Sequence, residues 1–265
     1  MSKWTPARIR ALKGKDPFAT VTVFDYTSAL FADRAEFPFL LVGDSLGMTV
    51  LGHQSTLPVT MDVMVHHTAA VMRGVAQALV VADLPFLSYQ VSDDLAVQNA
   101  GRLLQEAGAD AVKLEGGAER CTLIKRLVQN GIPVCGHIGL TPQSVKTIGY
   151  QVQGKSEAQA AQLKKDALAL QEAGIFALVI EACPANLATE ITEALDIPTI
   201  GIGAGAGCDG QVLVYHDLLG LFPDMKPKFV KQYAQLGAAT TQALKAYQSE
   251  VKSGSFPGPE HCYSS

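Results

Sequence analysis

The chain has 265 residues, 48% of them hydrophobic and 17% charged, with a formal net charge of −4. This balance excludes a disordered chain, and no Lys/Arg block interleaves with aromatics to grip nucleic acid or an anionic membrane. The first ten residues lack the apolar run of a signal peptide, and no stretch is long enough to cross a bilayer. The five cysteines contain no C-x-x-C pair, so reduced thiols in a cytoplasmic protein are expected.

Residues 4–15 read as a short amphipathic helix ended by Gly14, and Asp16-Pro17 breaks the chain before a first strand at 20–24. A helix over 28–36 leads to Phe39-Leu40-Leu41-Val42, which runs into Gly43-Asp44-Ser45. Residues 46–60 show no periodicity and carry Gly47, Gly52 and Pro58; so long a loop is a functional candidate. Thr60 is set to cap a helix over 61–73. The unit then repeats. Strand 78–82 ends on Asp83, and Ser92-Asp93-Asp94 caps a helix to Ala107. Strand 111–115 ends on Glu115 and precedes a helix to Gln129; strand 133–138 carries His137. A polar loop over 143–155 precedes helix 156–173, and strand 177–181 ends on Glu181 before helix 185–194. A seventh strand, 198–202, empties into Gly203-Ala204-Gly205-Ala206-Gly207, an eighth covers 211–215, and a last helix spans 228–251.

Eight strands that mostly alternate with helices, in a chain of this length, predict a single (β/α)8 TIM barrel domain over 1–265 with an extra N-terminal helix. The strands are continuous apolar runs, as parallel strands covered on both faces require. The rival, an open doubly wound sheet, lacks a G-x-G-x-x-G after the first strand.

In a barrel the C-terminal strand ends converge on one mouth, so Asp44, Asp83, Glu115 and Glu181 would meet there. Carboxylates so gathered repel unless a cation sits among them or some take protons. An all-oxygen set favours Mg2+ over Zn2+. Lys113 precedes Glu115 by two, which turns both side chains to the same side of the strand. Taken singly, each acid also reads as a helix cap or a solvated loop residue, and His137 as a core histidine. The recurrence at successive strand ends points to a Mg2+-dependent enzyme acting on a small oxo acid.

Several longer stretches carry a more specific signal. They are Leu41-Val42-Gly43-Asp44-Ser45-Leu46-Gly47-Met48, Gly52-His53-Gln54-Ser55-Thr56-Leu57-Pro58-Val59-Thr60, Ala82-Asp83-Leu84-Pro85-Phe86 and Val112-Lys113-Leu114-Glu115-Gly116-Gly117. Gly136-His137-Ile138-Gly139-Leu140-Thr141-Pro142-Gln143-Ser144 and, in the tail, Phe256-Pro257-Gly258-Pro259-Glu260-His261 continue them. With these, nearly the whole chain closely resembles the ketopantoate hydroxymethyltransferase family of the phosphoenolpyruvate/pyruvate barrel superfamily. The resemblance implies transfer of a one-carbon unit from 5,10-methylenetetrahydrofolate to 3-methyl-2-oxobutanoate, giving 2-dehydropantoate and tetrahydrofolate on the route to pantothenate. By match to the family's motifs, Asp44 and Asp83 would bind Mg2+ and touch the substrate, with Glu115 supporting the metal. Ser45 and Lys113 would hold the oxo acid, Glu181 would be the catalytic proton acceptor, and His137 a further substrate contact. Loop 46–60 and the glycine run would wall the folate. The resemblance also implies a homo-oligomer, commonly a decamer. A C–C lyase or phosphomutase of the same superfamily is the nearest alternative, although the lyases' Lys-x-Cys-Gly-His signature is absent. A non-catalytic binding barrel would have no use for Lys113, Glu115 and Glu181 together.

Overall fold

Each apolar run becomes a parallel strand, and the eight close on themselves in sequence order. They are β1 (Phe18–Thr22), β2 (Phe39–Val42), β3 (Leu79–Asp83), β4 (Ala111–Glu115), β5 (Val134–Gly139), β6 (Ala177–Glu181), β7 (Thr199–Ile202) and β8 (Gly210–Val214). The computed structural model describes residues 3–222 and 227–264. The chain forms two compact units, Met1–Tyr215, which holds every strand, and His216–Ser265. Among the described residues no helix is long and apolar enough to cross a membrane.

Period-two alternation sorts the strand residues into two packed layers. Phe39, Leu41, Leu79, Val81, Ala111, Cys135, Ala177, Val179, Ile200 and Val212 form one cluster inside the barrel. Leu40, Val42, Val80, Ala82, Val112, Leu114, Leu178 and Ile180 belong to a second cluster, shared with the surrounding helices through Met64, Val71, Leu103, Leu127, Leu170 and Ile191. The interior cluster is closed at the N-terminal end of the strands by α1 (Pro6–Arg10), whose Ile9 is fully buried against it.

Several outer helices of the first unit begin on side-chain caps. Asp25 caps α2 (Tyr26–Arg34) through a reciprocal box with Ser28, so β1 ends earlier and α2 starts earlier than the sequence suggested. A single helical turn, α3 (Leu46–Thr49), forms where only loop was expected. Thr60 caps α4 (Met61–Gly74) and Ser92 caps α5 (Asp93–Gln105), both as read from sequence. After α6 (Cys121–Gln129), the expected polar loop contains another short turn, α7 (Val145–Ile148), before α8 (Glu157–Ala173) and α9 (Ala185–Ala194).

Within the second unit, the helix expected over 228–251 runs instead over Leu236–Ser253. The backbone N–H groups of Tyr233, Leu236 and Gly237 donate to the carbonyls of Leu218, Leu219 and Gly220, which withdraws that stretch from helix formation. Leu244, Tyr247 and Val251 lie exposed along this helix, and the Tyr247 ring meets Phe256 edge-on.

The N-terminal strand ends are braced by carboxylates that accept backbone donors. Asp33 of α2 accepts from the N–H groups of Ala76 (3.0 Å), Gln77 (3.0 Å) and Ala78 (2.8 Å), which lead into β3. Asp110 accepts from Val80 N–H, and Asp209 accepts from Thr199 N–H, Gly14 N–H and the Lys13 ammonium. Such charge-assisted bonds are about twice as strong as neutral ones, and a stranded donor costs most when it is buried. Asp33→Ala should therefore lower unfolding free energy by on the order of 3 kcal/mol, read from urea midpoints at neutral pH. An unchanged midpoint would show that the three donors find water instead.

Candidate active site

Continuing each interior series in steps of two brings Asp83, Lys113, Glu115, His137 and Glu181 to the inside of the barrel at its C-terminal mouth. The register sets them side by side: Asp83 pairs with Lys113, Glu115 with His137, and Gly139 with Glu181. Asp44 follows β2 and joins them through its own backbone, whose N–H donates to Asp83 Oδ2 at 3.0 Å. Two glycines make room. A Cβ on Gly43 would come within 3.0 Å of Ser45 Oγ and 3.5 Å of Asp83 Oδ2, and one on Gly139 (φ +93°) within 2.2 Å of the Glu181 carbonyl oxygen.

Lys113 sits at the centre of the charges. Its Nζ is 3.1 Å from Asp83 Oδ1 and 3.1 Å from His137 Nδ1. Burial opposes the ammonium charge, but Asp83, Glu115 and Asp44 outweigh it and hold the group above the ordinary lysine range. An ammonium has no lone pair, so it donates to Nδ1 and leaves the imidazole proton on Nε2. Burial, and then Lys113, push the His137 pKa well below its usual value, so the ring is neutral. Its Nε2 lies 3.2 Å from Glu181 Oε2, out of line for a hydrogen bond. One residue from each of four consecutive strands, β3 to β6, thus forms a chain of polar contacts across the mouth.

The four acids are in different conditions. Burial, then the adjacent Asp83, raises Asp44 to about 7. Burial, then Asp44, raises Glu115 well above the carboxylate range. Burial raises Glu181 to about 7, against the pull of Lys113. Glu181 is also the most accessible of them, its side chain 16% exposed against 4% for Asp83 and Glu115. Ser45 is half-buried beside Asp44, at the start of α3, and its hydroxyl makes no cap bond.

Two residues that received no role from the sequence complete the arrangement. Gln143 is buried, and its Nε2 donates to Asp44 Oδ2 (2.8 Å) and the Leu84 carbonyl (3.0 Å), while its backbone N–H donates to Glu115 Oε2 (3.1 Å). The Tyr89 hydroxyl donates to Gln143 Oε1 at 2.7 Å and accepts from Glu115 N–H at 3.2 Å. Gln143 falls within a stretch matched to the family, immediately after Pro142 at a strand exit; that position was its one signal. Tyr89 lies in the loop after β3 and had none.

The donor set is oxygen throughout, and Asp83 Oδ1 is buried without a well-aligned hydrogen-bond donor. Among the described residues no three Asp, Glu, His or Cys side chains converge as a ready-made metal cage. The oxygen donor set is of the kind that Mg2+ takes, commonly through one or two carboxylates together with water and substrate oxygens. The cysteines take no part: all five are free, and burial raises Cys135 to about 12.

The family profile described as ketopantoate hydroxymethyltransferase matches residues 3–259. The chain belongs to the ketopantoate hydroxymethyltransferase family. Among its relatives, the 3-methyl-2-oxobutanoate hydroxymethyltransferase of Moorella thermoacetica is 60% identical over 264 residues, covering 99% of this chain and 98% of that one. The enzyme of the same name from Chloroflexus aurantiacus is 62% identical over 241 residues, covering 91% and 85%. Solved structures share the fold at low identity. A 2,3-dimethylmalate lyase of the PEP mutase/isocitrate lyase superfamily superposes with a TM-score of 0.61 at 19% identity, covering 98% of this chain and 88% of that one. A phosphoenolpyruvate phosphomutase from Streptomyces platensis gives 0.61 at 17%, covering 94% and 88%. For a family member, then, the conserved barrel architecture extends to enzymes of other chemistry, and the site residues must distinguish them.

A carboxyl whose folded pKa lies above its unfolded value, about 4, ionises first in the unfolded chain. Its contribution to stability is full below that pH and is lost as pH rises through the folded value. In EDTA, Asp44→Asn should therefore gain stability relative to the wild type between pH 5 and pH 8, by on the order of a few kcal/mol. Urea midpoints at the two pH values measure it. An equal difference at both would mean that Asp44 is ionised throughout.

Proposed function

We propose that this chain transfers a one-carbon unit from 5,10-methylenetetrahydrofolate to 3-methyl-2-oxobutanoate with uptake of one water, giving 2-dehydropantoate and tetrahydrofolate, the first step toward pantothenate. The observation that carries the reading is identity of 60% to a named 3-methyl-2-oxobutanoate hydroxymethyltransferase over essentially the full length of both chains. The site chemistry supports it.

The C3 proton of the oxo acid is weakly acidic, so its removal needs a base and a stabilised negative charge. Glu181 is that base. Its pKa of about 7 suits proton abstraction near neutral pH, and its partial exposure lets a substrate reach it. The Lys113 ammonium, charged and inward, pairs with the anionic end of the oxo acid. The Ser45 hydroxyl supplies a further donor beside Asp44, and neutral His137 spans the gap between Lys113 and Glu181. Asp44 and Asp83 hold Mg2+, with Glu115 supporting them directly or through water. The chemistry that a bound Mg2+ supplies is Lewis-acid stabilisation of charge developing on the substrate's oxygens. The base belongs to β6 and the metal acids to the β2–β4 side, which keeps the proton acceptor free of the metal.

Glu181→Gln should abolish exchange of the C3 proton of 3-methyl-2-oxobutanoate with deuterated solvent, followed by proton NMR, while the oxo acid still binds. In the wild type the same exchange should fall tenfold per pH unit below about 7, because a protonated Glu181 accepts nothing. Undiminished exchange in the variant would assign the base elsewhere.

A further inference from the structure

Gln143 makes every hydrogen bond that a glutamine side chain can make. Both Nε2 protons are used, on Asp44 Oδ2 and the Leu84 carbonyl, and both Oε1 lone pairs are used, by the Tyr89 hydroxyl and by Gln90 Nε2 at 3.3 Å. The sense of the amide is therefore fixed. Turned over, it would set its oxygen against a carboxylate and a carbonyl and its amino group against a donor. Its backbone N–H adds a bond to Glu115 Oε2. Tyr89 doubles the connection, since its hydroxyl donates to the Gln143 amide and accepts from the Glu115 backbone.

We propose that Gln143 is a positioning residue that locks Asp44 and Glu115 in a fixed relation, with Tyr89 setting the sense of its amide, and that the pair thereby determines divalent-cation affinity at this site. The inference rests on the reading that Asp44 and Asp83 hold the cation. The physical argument is one of preorganisation. Asp44 stands beyond the end of β2, on no regular element, and among buried like charges it would swing away from Asp83 if unrestrained. Gln143 ties down Oδ2, one of its two oxygens, and leaves Oδ1 for a ligand. Glu115 is restrained in the same way, with Oε2 held by the Gln143 backbone. Because one residue holds both, a shift of Gln143 would move both carboxylates together. Partners of ligating carboxylates typically change metal affinity by about 10- to 100-fold.

The test is calorimetric titration of Mg2+ alone into the full chain after EDTA treatment, with urea midpoints in EDTA as the control for folding. Gln143→Leu should weaken Mg2+ binding by at least about tenfold. Tyr89→Phe, which removes one hydroxyl, should weaken it by about fivefold, the worth of one hydrogen bond. In the Asp44→Asn background, Gln143→Leu should add no further loss, since the group it orients is gone. A purely structural role would lower the urea midpoint and leave the Mg2+ affinity alone. The proposal is overturned if both single variants bind Mg2+ within about twofold of the wild type, or if the losses from Asp44→Asn and Gln143→Leu simply add. If Gln143→Leu does not fold, the Tyr89→Phe affinity alone decides. If Asp44→Asn and Asp83→Asn both bind Mg2+ as the wild type does, the metal reading itself fails and takes this inference with it. Weakened binding in those two with normal binding in the Gln143 and Tyr89 variants defeats this inference only.

Discussion

Four carboxylates and a single ammonium are gathered within one barrel mouth, and the rest of the structure has to accommodate that imbalance. Asp44, Asp83, Glu115 and Glu181 cannot all be charged at once in a low-dielectric pocket with only Lys113 to oppose them. Either protons or a cation must make up the difference. Such a cluster is costly to bury, and it persists because a large apolar framework surrounds it. The interior layer from Phe39 to Val212, sealed by Ile9 beneath, and the outer layer under the helices carry the net stability. The site is a local expense set against a well-packed barrel.

The two ends of the barrel use the same side chains to opposite effect. At the N-terminal end, Asp33, Asp110 and Asp209 each accept backbone N–H groups, and the hydrogen bonds and the Lys13 charge hold Asp209 below the usual carboxylate range despite burial. At the C-terminal end the acids face one another, and Asp44, Glu115 and Glu181 are pushed up. The lower acids meet backbone donors apart from one another, whereas the upper four crowd one pocket around a single ammonium.

This asymmetry also explains what the sequence could convey. Asp83, Glu115 and Glu181 were legible because each extends an apolar run, and period-two alternation decides which way it faces; Lys113 followed from Glu115 by the same count. The barrel was legible because the strands are continuous and regularly spaced. Gln143 and Tyr89 were not, since they lie on loops whose only rule is where tertiary closure puts them. The start of the helix Leu236–Ser253 was hidden for a related reason: its preceding donors are claimed by carbonyls some fifteen residues earlier, which no local pattern records. Asp25 shows the intermediate case. The Asp–Ser capping pair was visible in the sequence, but a strand read to residue 24 and a helix read from residue 28 concealed it.

Asp44 and Glu181 are both raised to about 7 but owe it to different surroundings, and the difference suits the roles proposed for them. Asp44 is raised by burial and then by Asp83, so added positive charge beside it would favour its ionised form. Glu181 is raised by burial alone, with Lys113 already acting against the shift. Positive charge at the Asp44–Asp83 corner would act first on Asp44, which adjoins it. On the proposed reading, one mouth would then hold both a ligand carboxylate and a base that exchanges its proton. Neutral His137 stands between the two sides as a dipole, so it connects Lys113 to Glu181 without adding the charge that would depress the base.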